Sequence, residues 1–314
     1  GAGLHLRGNV EGYLAARSSQ KWLRLHAGDH FSPFYRDNAL AMQKRFLDRF
    51  HKGADNGWDR EPRIRFAVRD PSGIERERTA EDWPLPETNW TRLYLDPRNR
   101  ALVNEIPSDC GEFCYGWSSS GVTFIRAAQV SDFKIAGPIA VRLWVRPART
   151  DMDLFVVLRL FDPSGRDVTF EGANSPRHAL AQGWLRLSHR EIDTDRSRPW
   201  RPYHKHEREC PAVPGRDYQL DIEVWPTCVV VPVGYRLGFT VLARDFVFPG
   251  WRNLFASAMS RLSRTLPPVS ALAMQGSAPF LHDNRDRKRF GGTQTILCGG
   301  KYDSSILLPL VPDQ

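Results

Sequence analysis

The sequence predicts a mainly β fold, a β-sandwich or jelly roll, preceded by one strand–loop–helix unit of the kind that α/β sheets repeat. Two observations support this prediction. After residue 60, short strand-like runs alternate with turns that contain Gly and Pro, a pattern typical of sandwiches. Before residue 60, a short strand-like run is followed by a segment whose apolar side chains recur at helical spacing. No internal repeat is visible in the chain.

The strand–loop–helix unit comes first along the chain. Lys21–His26 predicts a short strand, and residues 27–33 predict a loop because Gly and Pro interrupt the pattern. Asp37 or Asn38 can cap a helix, which Gly53 ends. The apolar positions of this helix are Leu40, Phe46, Leu47 and Phe50.

The β region follows as a series of short runs. The predicted strands are Ile64–Val68, Arg92–Leu95, Ile139–Val145, Leu154–Phe161, Trp184–Ser188, Tyr218–Val224, Cys228–Val231, Arg236–Leu242, Thr293–Leu297 and Ser305–Leu310. The turn at residues 162–165, Asp-Pro-Ser-Gly, has Pro and Gly where type I turns favour them. It therefore predicts a hairpin between Leu154–Phe161 and the next segment.

One segment inside the β region has helical periodicity. Between Trp251 and Arg264, apolar side chains recur three and four residues apart with Arg between them, which predicts an amphipathic basic helix. Such a helix either packs on the sandwich with its Arg side chains in water, or lies on a membrane surface or over a site as a lid. Packing on the sandwich is the commoner arrangement, and membrane association is not expected.

The composition is that of a folded globular protein. Of 314 residues, 41% are hydrophobic, which is enough for a core and excludes wholesale disorder. No run approaches the ~18 apolar residues that a membrane span needs. Five cysteines are too few, and odd in number, for a disulfide scaffold, and Cys228 and Cys298 lie in apolar runs where we expect them to be buried. Free thiols fit a reducing compartment, so we expect a cytoplasmic location.

Charge and metal-ligand spacing point to neither a nucleic acid nor a metal. The net charge is +8, mostly from Arg residues that are scattered along the chain and interleaved with Asp and Glu. Nucleic-acid-binding proteins instead cluster Lys and Arg on one face or in one tail. Cys110 and Cys114 would need a second Cys or His pair to hold zinc, and His204 and His206 lie about 90 residues away with nothing to pair them. We expect neither partner.

Six segments, taken in order, carry a resemblance to a known family. They are residues 21–26, 46–57 (Phe-Leu-Asp-Arg-Phe-His-Lys-Gly-Ala-Asp-Asn-Gly), 81–86 (Glu-Asp-Trp-Pro-Leu-Pro), 151–166, 188–191 (Ser-His-Arg-Glu) and 233–237 (Val-Gly-Tyr-Arg-Leu). Each motif alone is weak, but their common order is specific. Together they resemble the C-terminal part of the cocaine esterase-like (CocE/NonD) and X-prolyl dipeptidyl aminopeptidase family of serine hydrolases.

The resemblance implies a domain organisation and a chemistry. Members have an α/β-hydrolase domain with an inserted cap, followed by a jelly-roll, galactose-binding-like β-sandwich. On this basis residues 1–60 would be the end of the hydrolase domain, 61–90 a connector and 91–314 the sandwich. The reaction would be acyl transfer from an ester or from an X-Pro peptide bond, in which Ser attacks, His moves the proton and Asp orients the His. Such a hydrolase needs no cofactor.

The same resemblance points to one catalytic position. The triad His follows the last strand of the hydrolase sheet, and His30 takes that place here. His26 is the alternative, but it lies in or at the end of the predicted strand, where a His can be a packed core residue. His30 is therefore the preferred equivalent of the general base.

Two of the three catalytic residues of the family, the Ser and the Asp, have no equivalent in residues 1–314. The nucleophile motif G-x-S-x-G does not occur, and the triad Asp would precede Gly1. We therefore expect residues 1–314 alone to be inactive, and to act on an ester or peptide only when an N-terminal hydrolase portion completes them. The bare remnant of the hydrolase domain is also a surface through which the chain could form a homo-oligomer.

Two other interpretations stay open. The sandwich could be a stand-alone binding or structural module for a carbohydrate or a partner protein, which exposed loop aromatics such as Trp117, Trp200, Tyr203 and Trp251 would favour. Alternatively, the chain could derive from a broken reading frame. The charged segment Arg201–His206 is interpreted as a solvated structural arm.

Overall fold

A computed structural model describes residues 5–73, 75–117, 119–173, 177–246, 248 and 285–312. The helices are α1 (Leu6–Ala15), α2 (Ser32–Tyr35), α3 (Asp37–Lys52) and α4 (Arg287–Phe290). The strands are β1 (Leu23–Leu25), β2 (Ile64–Arg69), β3 (Glu75–Ala80), β4 (Asn89–Asp96), β5 (Ala101–Val103), β6 (Gly111–Gly116), β7 (Val122–Ile125), β8 (Phe133–Arg146), β9 (Asp153–Phe161), β10 (Asp167–Val168), β11 (Ala181–Arg186), β12 (Tyr218–Val231), β13 (Arg236–Leu242), β14 (Thr293–Cys298) and β15 (Ser305–Val311). The predicted helix between Trp251 and Arg264 lies outside the described residues.

The N-terminal unit has the predicted order of strand, loop and helix. After α3, the chain returns as β2, which pairs in parallel with β1 so that Leu25 lies opposite Phe66. Gly53 ends α3 in the left-handed conformation (φ 67°), where Gly is favoured. The predicted cap is wrong, since Arg36 precedes the helix without a side-chain cap and Asp37 is its first residue. The reason is the short link, because α2 ends at Tyr35 and leaves one residue between the helices.

The strands form one hydrogen-bonded ladder that closes on itself. Its order is β12, β11, β9, β13, β7, β5, β4, β15 and β8, and β8 pairs along its length with β12 to complete the circuit. This closed, sandwich-like sheet makes the fold mainly β, as predicted. The main hydrophobic core lies inside it, with Phe124, Phe239, Leu143 and Leu154 at most 1% exposed. Each such side chain contributes roughly 1.5–3 kcal/mol of hydrophobic stabilisation on burial.

A second core joins the N-terminal unit to the sandwich. It contains Leu23 of β1, Ile64 and Phe66 of β2, Trp83 of the connecting segment and Cys228 of β12. The strand β2 also joins β12 in parallel, with Arg69 opposite Val229. The unit is thus tied to the sandwich by both backbone pairing and apolar burial.

Each predicted strand lies on an observed one, although β8 begins at Phe133 rather than at Ile139, and two predictions need correction. Tyr218–Val224 and Cys228–Val231 are not separate strands, because β12 runs through both with a register shift between Val224 and Thr227. The irregularity accommodates Pro226, which has no N–H to donate to a regular ladder. The strand predicted at 184–188 ends at Arg186, and residues 187–189 form a 3₁₀ turn.

The Asp-Pro-Ser-Gly hairpin is confirmed. The Gly165 N–H donates to the Asp162 carbonyl at 2.9 Å, and β10 returns antiparallel to β9. The Asp162 carboxylate accepts hydrogen bonds from the Ser164 hydroxyl and the Arg166 N–H, and these lower its pKa to about 2. The turn residues therefore hold the hairpin in place by themselves.

Two further expectations concern cysteines and membranes. Cys228 and Cys298 are buried, as predicted, and all five cysteines are free thiols. Within the described ranges, no helix has both the length and the apolar character needed to cross a membrane.

Candidate functional site

His30 lies in the loop between β1 and α2, at the carboxyl end of the strand. Its side chain is half-buried, and its ring packs against His5 at a centroid distance of 4.9 Å and against Phe31 at 4.6 Å. The backbone N–H of His30 donates to the Ala173 carbonyl at 3.0 Å. Both the backbone and the ring of His30 thus have defined contacts.

A turn centred on Asp29 shapes this loop. The Asp29 carboxylate accepts the N–H of Phe31 at 2.6 Å and of Ser32 at 2.8 Å, which reverses the chain directly after His30. Hydrogen bonds, first from the Ser32 side chain and then from the backbone, lower the pKa of Asp29 to about 2. Ser32 then starts the short helix α2, in which Pro33 is the second residue and is buried. The loop conformation therefore follows from local sequence.

His26, the alternative position, follows β1 directly. Its Nδ1 lies 3.2 Å from the Ala27 carbonyl oxygen, and its side chain is half-buried. It lines both a large groove beside β1 and a small cleft of about 40 Å³ that Arg69 and Glu171 also line. His26 and His30 thus occupy opposite ends of one loop.

Ser119, Ser304 and Ser305 of the β region form hydrogen bonds within the fold. The Ser304 hydroxyl donates to the Leu297 carbonyl at 2.6 Å, and the Ser305 oxygen accepts a hydrogen bond from Arg92 at 3.0 Å. The Ser119 hydroxyl donates to a backbone carbonyl of its own turn at 2.9 Å. Ser118 lies outside the described residues. These contacts give the serines structural roles in turns and strand pairing.

A groove of about 860 Å³ opens between α1, β1 and α3. Aromatic rings lie along it, with Trp22 packed against Trp58 at 5.5 Å and against Phe46 at 6.1 Å. The predicted apolar face of α3 exists, but it stays on the surface of the described chain. The exposed fractions are 44% for Leu40, 39% for Phe46, 49% for Leu47 and 39% for Phe50. Exposed apolar faces of this size are typical of interaction surfaces.

The strand beside the groove has an open edge. In the part of the chain that the structure describes, β1 pairs with β2 alone. Its other edge therefore presents backbone N–H and C=O groups that a further strand could use.

Three histidines form a cluster where the segment 190–206 covers the sheet. The ring of His206 lies 5.3 Å from that of His189 and 5.9 Å from that of His204. Burial, and then the neighbouring His206, lower the pKa of His204 to about 4. No three His, Cys, Asp or Glu side chains are grouped as a metal site requires, anywhere in the described ranges.

The segment 201–206 is less solvated than predicted. Pro202 is buried, and His204 is bridged to Ile192 through the backbone. Arg201 forms an ion pair with Glu11 of α1. Arg201, Pro202 and His204 thus have contacts within the fold, whereas Lys205 and His206 are exposed.

The loop aromatics are engaged within the chain. Trp200 stacks on Trp90 of β4 with the rings 4.9 Å apart and inclined by 11°. Tyr203 lies beneath the Arg196 guanidinium at 3.7 Å. The Arg285 guanidinium lies 4.1 Å from the centre of the Trp117 ring. Trp251 lies outside the described residues. These rings are packed, which does not favour the binding-module interpretation.

Comparison with known families decides the relationship. Residues 56–307 match the model of the X-Pro dipeptidyl-peptidase C-terminal non-catalytic domain. The chain belongs to this family. The resemblance carried by the six sequence segments is thereby confirmed.

The curated relatives are longer than this chain. The chain is 25% identical to proteins named as serine esterases from Mycobacterium bovis and Mycobacterium tuberculosis, over 64% of this chain and 35% of each relative. The chain thus spans about a third of the length of these curated relatives.

Solved structures agree with this assignment. A crystal structure of a CocE/NonD family hydrolase from Staphylococcus aureus is 28% identical with a TM-score of 0.86, covering 98% of this chain and 52% of that chain. An aminopeptidase from a Thaumarchaeota archaeon shares the fold at 14% identity and a TM-score of 0.57, covering 90% of this chain and 45% of that chain.

Proposed function

We propose that the chain is the C-terminal portion of a serine hydrolase of the CocE/NonD, X-Pro dipeptidyl-peptidase type, which acts on an ester or an X-Pro peptide. In this proposal residues 1–60 end an α/β-hydrolase domain, and residues 91–314 form a jelly-roll sandwich. The observation that carries it concerns the described residues: β1 has an open edge beside the exposed apolar face of α3, and the loop after β1 carries His30.

The N-terminal unit has the form of a sheet that continues beyond it. Parallel strands joined by a helix occur in sheets that are covered on both faces, and β1 and β2 are joined in this way. A further parallel strand on β1 would satisfy its open edge. Helices of the same domain would then cover the groove and bury Phe46 and Leu47.

The placement of His30 supports the proposed chemistry. Open α/β sheets bind their ligands beyond the carboxyl ends of the strands, and His30 lies there relative to β1. In the proposed reaction its imidazole takes the proton of a Ser hydroxyl and returns it to the leaving group. The hydrolase portion would supply that Ser, the oxyanion donors and the carboxylate that orients the ring.

The proposal predicts where activity resides. Residues 1–314 alone should not react with a fluorophosphonate probe, because a His without a nucleophile has nothing to activate. A polypeptide that also carries the hydrolase portion should be labelled and should hydrolyse an activated ester. His30→Ala should lower its kcat by at least ~10³-fold, the scale at which loss of a triad member acts.

A matched variant makes this test specific. His26→Ala changes the other histidine of the same loop and should leave most activity. Labelling of residues 1–314 that His30→Ala abolishes would contradict the proposal, as would a complete protein that keeps full activity as His30→Ala.

A further inference from the structure

A hairpin of the sandwich, described for residues 170–173 and 177–180, reaches the loop that carries His30. Its two arms are bridged where Phe170 and His178 pair through two backbone hydrogen bonds of 3.0 and 2.7 Å. Ala173, in the first arm, accepts the His30 N–H at 3.0 Å. Glu171 also approaches the loop, since a β-carbon added to Gly28 would lie 3.6 Å from its Oε2. The hairpin thus meets the loop at two points.

Arg69, the last residue of β2, anchors this hairpin. Its Nη2 donates to the Leu180 carbonyl at 3.1 Å, and its guanidinium lies 4.5 Å from the centre of the Phe170 ring. Its Nε donates to the Cys228 carbonyl at 3.3 Å. One planar guanidinium therefore holds both ends of the hairpin and ties them to β12.

Thr227 reinforces the same junction. Its hydroxyl donates to the Leu180 carbonyl at 2.9 Å and accepts a hydrogen bond from Arg69. Thr227 and Leu180 are 3% and 2% exposed, so these hydrogen bonds are shielded from water. In such surroundings the loss of one partner leaves a buried polar group unsatisfied.

The sheet places Arg69 at the same edge as the His30 loop. Because β1 and β2 are parallel, their carboxyl ends meet, and Gly28 and Arg69 line one cleft of about 40 Å³. A continuous set of contacts therefore leads from Arg69 through Phe170 and Ala173 to the backbone of His30.

We propose that Arg69 is a positioning residue for His30, acting through the hairpin arms 170–173 and 177–180. The proposal rests on the catalytic role proposed for His30. The domain that the family model describes as non-catalytic would then fix the backbone of the general base. A displacement of about 1 Å in such a group can cost ~10²-fold in rate.

Kinetics of the complete protein test this role. Arg69→Met should lower kcat by about 10- to 100-fold with KM within about twofold of the wild type, because binding groups stay in place while the base moves. Arg69→Lys, which keeps the charge and one donor, should recover part of the loss. Arg65→Met is the matched control, since Arg65 lies on the same strand and pairs with Glu61 and Glu77 instead.

Hydrogen exchange of residues 1–314 supplies a readout that needs no activity. The His30 amide should exchange at least ~10-fold faster in Thr227→Val than in the wild type, while core amides of β9 stay protected. Thr227→Val also removes a hydrogen bond of the junction without changing a charge, so it carries the kinetic test if Arg69→Met does not fold.

The outcomes separate this proposal from the proposed function. If His30→Ala abolishes activity but folded Arg69→Met and Thr227→Val keep the wild-type kcat, the positioning role is overturned and the catalytic role of His30 stands. If His30→Ala keeps full activity, the catalytic role itself fails. Unchanged exchange of the His30 amide in Thr227→Val also overturns the positioning role.

Discussion

His204 shows how one buried side chain can make folding depend on pH. Besides burial, the neighbouring His206 and Arg7 lower the pKa of His204, whereas Asp221 raises it. Arg7 is itself paired with Glu223 at 2.8 Å. Burial is the largest cause of the lowered pKa, because a low dielectric disfavours the imidazolium. The folded state therefore prefers a neutral His204.

This preference gives a prediction with a definite sign. The folded pKa of about 4 lies below the ordinary value of 6.5, so the stabilisation is complete above pH 6.5 and is lost as pH falls towards 4. The loss amounts to at most about 3 kcal/mol. Urea unfolding at pH 7.5 and pH 5 should show a smaller difference for His204→Gln than for the wild type.

A second histidine variant serves as the control. His51 is exposed at the end of α3, so His51→Gln should leave the difference between the two pH values unchanged. A wild-type protein equally stable at both pH values would contradict the prediction.

At the scale of elements, α3 has an apolar stripe that the described structure leaves exposed. Its apolar stripe has the spacing of a helix that packs on a core, yet Ala39 is its buried residue. The exposed stripe continues into the groove beside β1. This is the surface that we propose the hydrolase portion covers.

The uncovered stripe predicts self-association of residues 1–314. Copies of the chain should bury the stripe against one another at micromolar concentration. Leu47→Glu should raise the dissociation constant of this self-association by at least about tenfold, because a buried charge is costly. Sedimentation velocity measures this shift. Ala41→Glu adds the same charge to the same helix at an exposed position away from the stripe, and should have little effect. A wild-type chain that stays monomeric at ~100 μM would contradict this prediction.

Some elements could be read from sequence and others could not. Runs such as Leu154–Phe161 are apolar, bounded by turn residues and observed as strands. The strand β3, Glu-Arg-Glu-Arg-Thr-Ala, carries no apolar alternation and was not predicted, because its pairing with β2 decides its conformation. The helix α1 was also missed, since it contains two Gly residues and buries only Val10.

At the scale of the whole molecule, the N-terminal unit and the sandwich share one ladder and one core. Leu23, Phe66 and Cys228 belong to the same buried cluster, although they come from β1, β2 and β12. Units that share a core unfold together when the shared contacts outweigh those within either unit.

The shared core predicts a single cooperative transition. Scanning calorimetry of residues 1–314 should give one peak whose calorimetric and van't Hoff enthalpies agree. Phe66→Ala should lower the free energy of unfolding by about 3–5 kcal/mol without splitting the peak. Two separable transitions in the wild type would show that the N-terminal unit is an independent domain.

The mainly β class, the strand–loop–helix unit, the hairpin at Asp162 and the family could all be predicted from the amino-acid sequence, because each depends on local periodicity, turn chemistry or motif order. Three features became visible only in three dimensions: within the described residues β1 has an open edge, the apolar face of α3 is exposed, and the hairpin at Ala173 meets His30. These features join residues far apart in sequence. Strand pairing and burial depend on which segments meet in space, and no local pattern encodes that meeting.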